Sequence, residues 1–409
     1  MKIWHPYTQE ATEAPPIEVE RGEGAYLYTR GGGRLIDAIS SWWVNLHGHA
    51  HPLIADAIAA QAARLEQVIF AGFTHQPAEE LASRLAKHLP PELSRIFFSD
   101  NGSTAVEVAM KMAVQYWHNL GRPEKHRLVA LEHAYHGDTI GAMSISADSP
   151  FTAAFEGLRL PVLRVRDEQD LERLLGEQKD KIAAMIVEPL IQGAGGMITY
   201  PVERLLRFRE LCAANEVLFI ADEVFTGFGR TGRMFACEHA GIVPDLMCLA
   251  KGLTGGFMPL AVTACSAEIY EAFHSADPSR AFFHGHSYSG HPLGCAAAVA
   301  TLKIFETEPV FDRITRIEQI HRERLPEFRR HPAVADTRML GTVSAIELRV
   351  TDPGYFSNVR VRLYRHFIEK GVLLRPLGNV IYTVPPYVIS AADLHYVYDV
   401  IATSLGQGY

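Results

Sequence analysis

The sequence predicts an α/β protein, with a large domain on a mostly parallel sheet followed by a smaller α+β domain. Three observations predict it. From about residue 52, strand-like and helix-period segments alternate, the order that right-handed crossovers need. The strand-like runs are short and almost wholly apolar, as in strands covered on both faces. Two of these runs also end in charged groups: Val217-Leu218-Phe219-Ile220-Ala221 leads to Asp222, and Leu246-Met247-Cys248-Leu249-Ala250 leads to Lys251. In open α/β sheets the ligand crevice lies beyond the carboxyl ends of the strands.

The elements follow in order. Residues 1–50 read as short strands and turns, with Ala25-Tyr26-Leu27-Tyr28 and Leu35-Ile36-Asp37-Ala38-Ile39 on either side of Gly31-Gly32-Gly33. This segment is expected to pack with the small domain. Residues 51–300 form the large domain. A helix is predicted over 52–67, a strand over Arg95–Ser99, a helix from Ser103 to Trp117, and strands over 127–131, 183–188, 217–222 and 246–251. A further helix covers 202–215. Residues 301–409 form the small domain: a charge-laced helical stretch over 301–330, a strand over 341–348, and a strand pair about the hairpin-like turn Gly378-Asn379.

Composition narrows the function. The 409 residues are 48% hydrophobic and 21% charged, ample for a large core. The net charge of -8, without a long basic run, argues against nucleic acid. No apolar stretch has the length of a membrane span, and the amino terminus lacks a secretory pattern. Five scattered cysteines without C-x-x-C spacing fit reduced thiols in the cytoplasm. The histidines, among them His47, His49, His51, His133, His136, His284, His286 and His291, lack zinc-site patterns and read as loop caps and polar contacts. No metal site is expected.

A lysine and an aspartate at successive buried strand tips are costly unless something compensates them. Pyridoxal phosphate chemistry needs both: an amine to carry the aldehyde, and a carboxylate to keep the ring nitrogen protonated. Glu223 neighbours Asp222, but adjacent strand residues point to opposite faces, so the two cannot share a proton. Glu188 ends another strand and reads either as a support for Asp222 or as an exposed loop residue. Ser99-Asp100-Asn101-Gly102-Ser103-Thr104 joins a strand to a helix, so its N–H groups and hydroxyls could grip a phosphate. Taken alone it is an Asn-Gly turn with a cap. Tyr135 could stack on a flat ring, and one of Trp42 and Trp43 could wall a pocket while the other packs inward. Arg375, before Pro376, suits capture of a carboxylate and reads equally as a surface ion pair. Arg230 serves either loop structure or recognition.

Together these segments resemble the class III aminotransferases of the fold type I pyridoxal phosphate enzymes, along essentially the whole chain. Ala221-Asp222-Glu223-Val224 with Thr226-Gly227-Phe228-Gly229-Arg230-Thr231-Gly232 is similar to the family's cofactor segment, and Ala250-Lys251-Gly252-Leu253-Thr254-Gly255-Gly256 to its lysine segment. The opening Ile3-Trp4-His5-Pro6-Tyr7-Thr8, Ser40-Ser41-Trp42-Trp43, Tyr135-His136-Gly137-Asp138-Thr139 and Arg375-Pro376 with Tyr382 and Pro385-Pro386-Tyr387 resemble the branch that aminates 8-amino-7-oxononanoate in biotin biosynthesis.

The resemblance implies a homodimeric enzyme with active sites at the subunit interface and S-adenosylmethionine as amino donor, although some relatives use lysine. An ω-amino acid or diamine aminotransferase is the alternative. It implies that Lys251 binds the cofactor, Asp222 pairs with the ring nitrogen, Gly102 and Ser103 hold the phosphate, and Tyr135 stacks on the ring as part of the catalytic set. Tyr7, Trp42, Tyr135, Lys251, Gly285 and Arg375 would meet substrate. Gly285, His286 and Ser287 would come from the partner subunit, with His286 and Ser287 at the phosphate. The family has Pro-Thr where this chain has His286-Ser287; the hydroxyl is kept and the proline's backbone constraint is lost. Thr104 replaces an apolar residue often found beside the phosphate loop.

Overall fold

The computed structural model describes residues 3–351, 354 and 357–406. Its centre is a seven-stranded sheet in the order Arg95–Ser99, Ala261–Cys265, Leu246–Leu249, Leu218–Asp222, Ile182–Val187, Arg127–Leu131, Leu163–Val165. Ala261–Cys265 runs antiparallel to both its neighbours, and the other strands run parallel. The central strands are buried at every position, which explains their continuous apolar runs. Alternate residues serve opposite faces: Ile186, Ile220 and Cys248 join Val106 and Ala109 of the helix Gly102–Asn119, while Met185, Phe219 and Met247 enter a second, larger core. The parallel strands end along one edge, and Glu188, Asp222 and Lys251 follow three neighbouring tips.

A second sheet joins the two ends of the chain. Val19–Glu23, Tyr26–Thr29 and Arg34–Asp37 pair in series, and Val372–Leu373 adds parallel to Arg34–Asp37. A third sheet holds Val334–Leu340, Val343–Leu348 and Val380–Thr383, all antiparallel.

Several expectations change here. The strands about Gly378-Asn379 are not a hairpin: Val372–Leu373 and Val380–Thr383 belong to different sheets, and a single bridge, Leu377 to Val380, spans the turn. Pro376, which has no N–H to give a ladder, lies between them. The helical stretch over 301–330 is two helices, Pro292–Thr307 and Val310–Arg329, broken at Glu308-Pro309. Ala300 lies inside the first of these. The helix expected over 52–67 stops at Ala62.

Among the histidines, His75 and His291 cap helices through their ring nitrogens. Burial pushes His47 down to about 3. Among the described residues no helix is long and apolar enough to cross a membrane.

Candidate active site

Asp222 closes its strand buried, and its Oδ2 lies 2.6 Å from Nδ1 of His136 while Oδ1 accepts from the N–H of Val224 at 3.1 Å. Glu223 turns to the other face, as expected, where it accepts from Thr226 and from the N–H groups of Ala236 and Cys237. Lys251 is displaced from the strand end assigned to it: the strand stops at Leu249, and Lys251 opens a single turn over Lys251–Thr254 with φ +44°. Its Nζ stands 4.6 Å from the ring centre of Trp43. Removal from bulk water pushes this amine down to about 8, against the opposing pull of Asp222 and Glu188. Glu188 is buried rather than exposed. Its two oxygens accept from the N–H groups of Gly193 (2.9 Å) and Tyr135 (3.0 Å), and burial pushes it up to about 7.

These groups line one cavity of ≈ 460 Å³, together with Gly102, Ser103, Tyr135 and Gly137. Gly102 starts the 18-residue helix Gly102–Asn119, capped reciprocally by Asn101 and Thr104, so the capping reading of this turn holds and Thr104 has a structural task. The backbone is packed too tightly there for side chains. A Cβ on Gly102 would lie 2.6 Å from Val224, and one on Gly137 would lie 1.9 Å from Ser103 Oγ. The arrangement fits pyridoxal phosphate: N–H groups at a helix start suit a phosphate, Asp222 and Lys251 face the same space, and Nε2 of His136 is buried there without a hydrogen-bond partner among the described residues.

Of the predicted substrate residues, Tyr135 and Lys251 line this cavity, and Tyr7, Trp42 and Arg375 meet beside it. The rings of Tyr7 and Trp42 meet edge to face at 5.6 Å, and the guanidinium of Arg375 lies 5.6 Å from the ring of Trp42. Tyr7 donates to Asp138, whose N–H donates to Ser103 Oγ at 3.1 Å. Tyr135 is raised by burial, with Asp138 and Tyr7 adding to it. Of the tryptophan pair, Trp42 is exposed and Trp43 is buried. Arg230 is buried and donates to the backbone carbonyls of Trp43, Asn45 and Pro385. Gly285, His286 and Ser287 are not brought into the cavity of their own chain, although His286 Nε2 comes within 3.8 Å of Asp100 at its wall.

The sequence reading missed His136, assigned to loop contacts, and Trp43 as the ring beneath the lysine. A histidine beside a glycine just past a strand tip was the available signal for the first.

The Aminotransferase class-III family profile matches residues 7–405. The protein of Synechococcus elongatus named adenosylmethionine-8-amino-7-oxononanoate aminotransferase is 47% identical, over 99% of this chain and 98% of that one. Its namesake in Geobacter sulfurreducens is 40% identical over 98% and 95%. The crystal structure of the Methanocaldococcus jannaschii protein of the same name superposes with a TM-score of 0.95 at 36% identity, covering 99% of this chain and 97% of that one. A pyridoxal-phosphate-bound amine transaminase from an uncultivated Pseudomonas species gives 0.92 at 33%, over 100% and 99%. With Lys251 and Asp222 on one cavity and likeness of this extent, the chain belongs to the class III aminotransferases.

Proposed function

We propose that this protein transfers an amino group from S-adenosylmethionine to 8-amino-7-oxononanoate, giving 7,8-diaminononanoate for biotin synthesis, with pyridoxal phosphate as cofactor. The observation that carries the reading is the approach of Lys251 and Asp222 to one cavity from neighbouring strand tips. The relatives' names, together with the Tyr7, Trp42 and Arg375 cluster, favour this acceptor over an ω-amino acid or diamine. When bound, pyridoxal phosphate supplies an aldehyde that takes up the donor's nitrogen and a ring that withdraws electrons from the donor carbon.

The chain's residues do the rest. Asp222, held by His136, keeps a proton on the ring nitrogen. Lys251 is the amine that would hold the cofactor's aldehyde at rest and would serve as the base that moves the donor's proton. Gly102 and Ser103 would hold the phosphate, and Tyr135 would pack against the ring. Arg375 takes the acceptor's carboxylate, flanked by Tyr7 and Trp42. A homodimer brings His286 and Ser287 of each subunit to the other's phosphate, with Gly285 at the substrate. All five cysteines are free and buried, which suits a reducing cytoplasm.

Lys251→Ala is expected to lower kcat by roughly 10³-fold or more and to remove the visible band of the bound cofactor. Full transamination by that variant would refute the reading. Mixing the enzyme with S-adenosylmethionine or lysine separately, and following the loss of that band, identifies the donor.

A further inference from the structure

Outside the residues assigned so far lies a partly buried polar network, centred on the buried Asp37 and Asn45, whose geometry bears on the acceptor side of the site. The four residues Ser40–Trp43 carry both tryptophans, and three of them have left-handed φ: Ser40 at +52°, Ser41 at +60° and Trp43 at +67°. L-residues hold such angles only where their surroundings force them. Here the force has an identifiable source. Asp37, fully buried at the end of its strand, accepts from the Ser41 N–H (2.9 Å) and Ser41 Oγ (2.8 Å), from the Ile39 N–H (3.3 Å), and from Nε2 of His49 (2.9 Å).

His49 completes the circuit. With its proton on Nε2 it donates to Asp37, and Nδ1 then accepts from the Asn45 amide at 3.1 Å. The side-chain Oδ1 of Asn45 in turn accepts from the Gly48 N–H at 2.8 Å. Every polar group of the circuit is thus satisfied by one tautomer. The product is two indoles facing different ways: Trp42 outward against Tyr7 and Arg375, Trp43 inward beneath Lys251.

We propose that Asp37 and His49 are positioning residues for the keto acceptor, acting through the strained Ser40–Trp43 segment that sets where Trp42 and Trp43 stand. This rests on the acceptor assignment above. It assigns neither residue any contact with substrate or cofactor.

The test uses the cofactor-loaded enzyme and the variants Asp37→Asn, His49→Ala and His49→Gln, the last keeping a donor for Asp37. The expected result is a rise of about tenfold in KM for 8-amino-7-oxononanoate in the first two, with kcat per bound cofactor changed less than about threefold. His49→Gln falls between them and the parent. A merely structural role lowers the folded fraction and leaves KM unmoved. The substrate-free arm is acrylamide quenching of tryptophan in a Trp4→Phe background, because Trp4 is 91% exposed and would mask the others. Quenching is expected to rise in Asp37→Asn and His49→Ala as the two indoles loosen. Unchanged KM with an active parent overturns the proposal, whatever the quenching shows. A parent inactive toward this acceptor sinks the function assigned above instead, and the quenching arm then decides: no change in either variant overturns the positioning role. Should Asp37→Asn fail to fold, the two His49 variants carry the test.

Discussion

The backbone at Lys251 stands at φ +44°, a conformation that costs a non-glycine residue roughly 1–3 kcal/mol and persists where packing enforces it. Gly255 and Gly256, both with positive φ, close the turn that follows. The side chain meets a separate constraint, since burial pushes its amine down to about 8. The sign matters: a lowered amine pKa means that the neutral, nucleophilic form prevails above about 8, where a free lysine would still be protonated. Reloading of cofactor-free protein with pyridoxal phosphate is therefore expected to quicken through about pH 8 and to level off above about pH 9. Stopped-flow absorbance would follow it, and a rate still climbing at about pH 10 would show that burial does not set the amine's reactivity.

The turn between Leu131 and the helix Ile140–Ile145 owes its shape to Gly137, whose φ is +128° and which touches Ser103 where a Cβ would stand. Gly137→Ala must push the Ser103 hydroxyl away, and the cofactor's dissociation constant is expected to rise at least tenfold, about 1.4 kcal/mol. Titrating cofactor-free protein by absorbance measures it; unchanged affinity would remove this contact from the phosphate site. Elements such as Arg95–Ser99 and Arg127–Leu131 were legible to the residue, because each writes its packing into a short apolar run behind one exposed arginine. Partners are not written locally. Val372–Leu373 and Val380–Thr383 flank a turn in sequence, yet each pairs with a strand distant in the chain. His136 was illegible for the same reason, since its value comes from Asp222, which lies 86 positions away. The lysine and aspartate were legible because charge at a buried strand tip is costly without a function.

At the scale of the molecule, Ile69 (62%), Phe73 (60%), Phe283 (74%) and Tyr288 (59%) are exposed apolar groups on two neighbouring segments. Gln67 donates to the Ser287 carbonyl, and His75 Nε2 lies against the Gly290 carbonyl, so these segments are held side by side. Such a surface suits a second copy of the chain. Sedimentation velocity is expected to find a dimer, and Phe73→Glu with Phe283→Glu to yield monomers with weakened cofactor binding; a wild-type monomer at about micromolar concentration, where obligate interfaces persist, would contradict it. The sheet joining Arg34–Asp37 to Val372–Leu373 has a wider consequence. Tyr7, Trp42 and Arg375 lie within about 45 residues of one end or the other of the sequence, whereas Asp222 ends a middle strand and Lys251 opens the turn after another. On the function proposed above, the groups that would meet the acceptor and those that would hold the cofactor are thus encoded in separate stretches of gene, so that the first can drift toward new ketones while the second stays fixed.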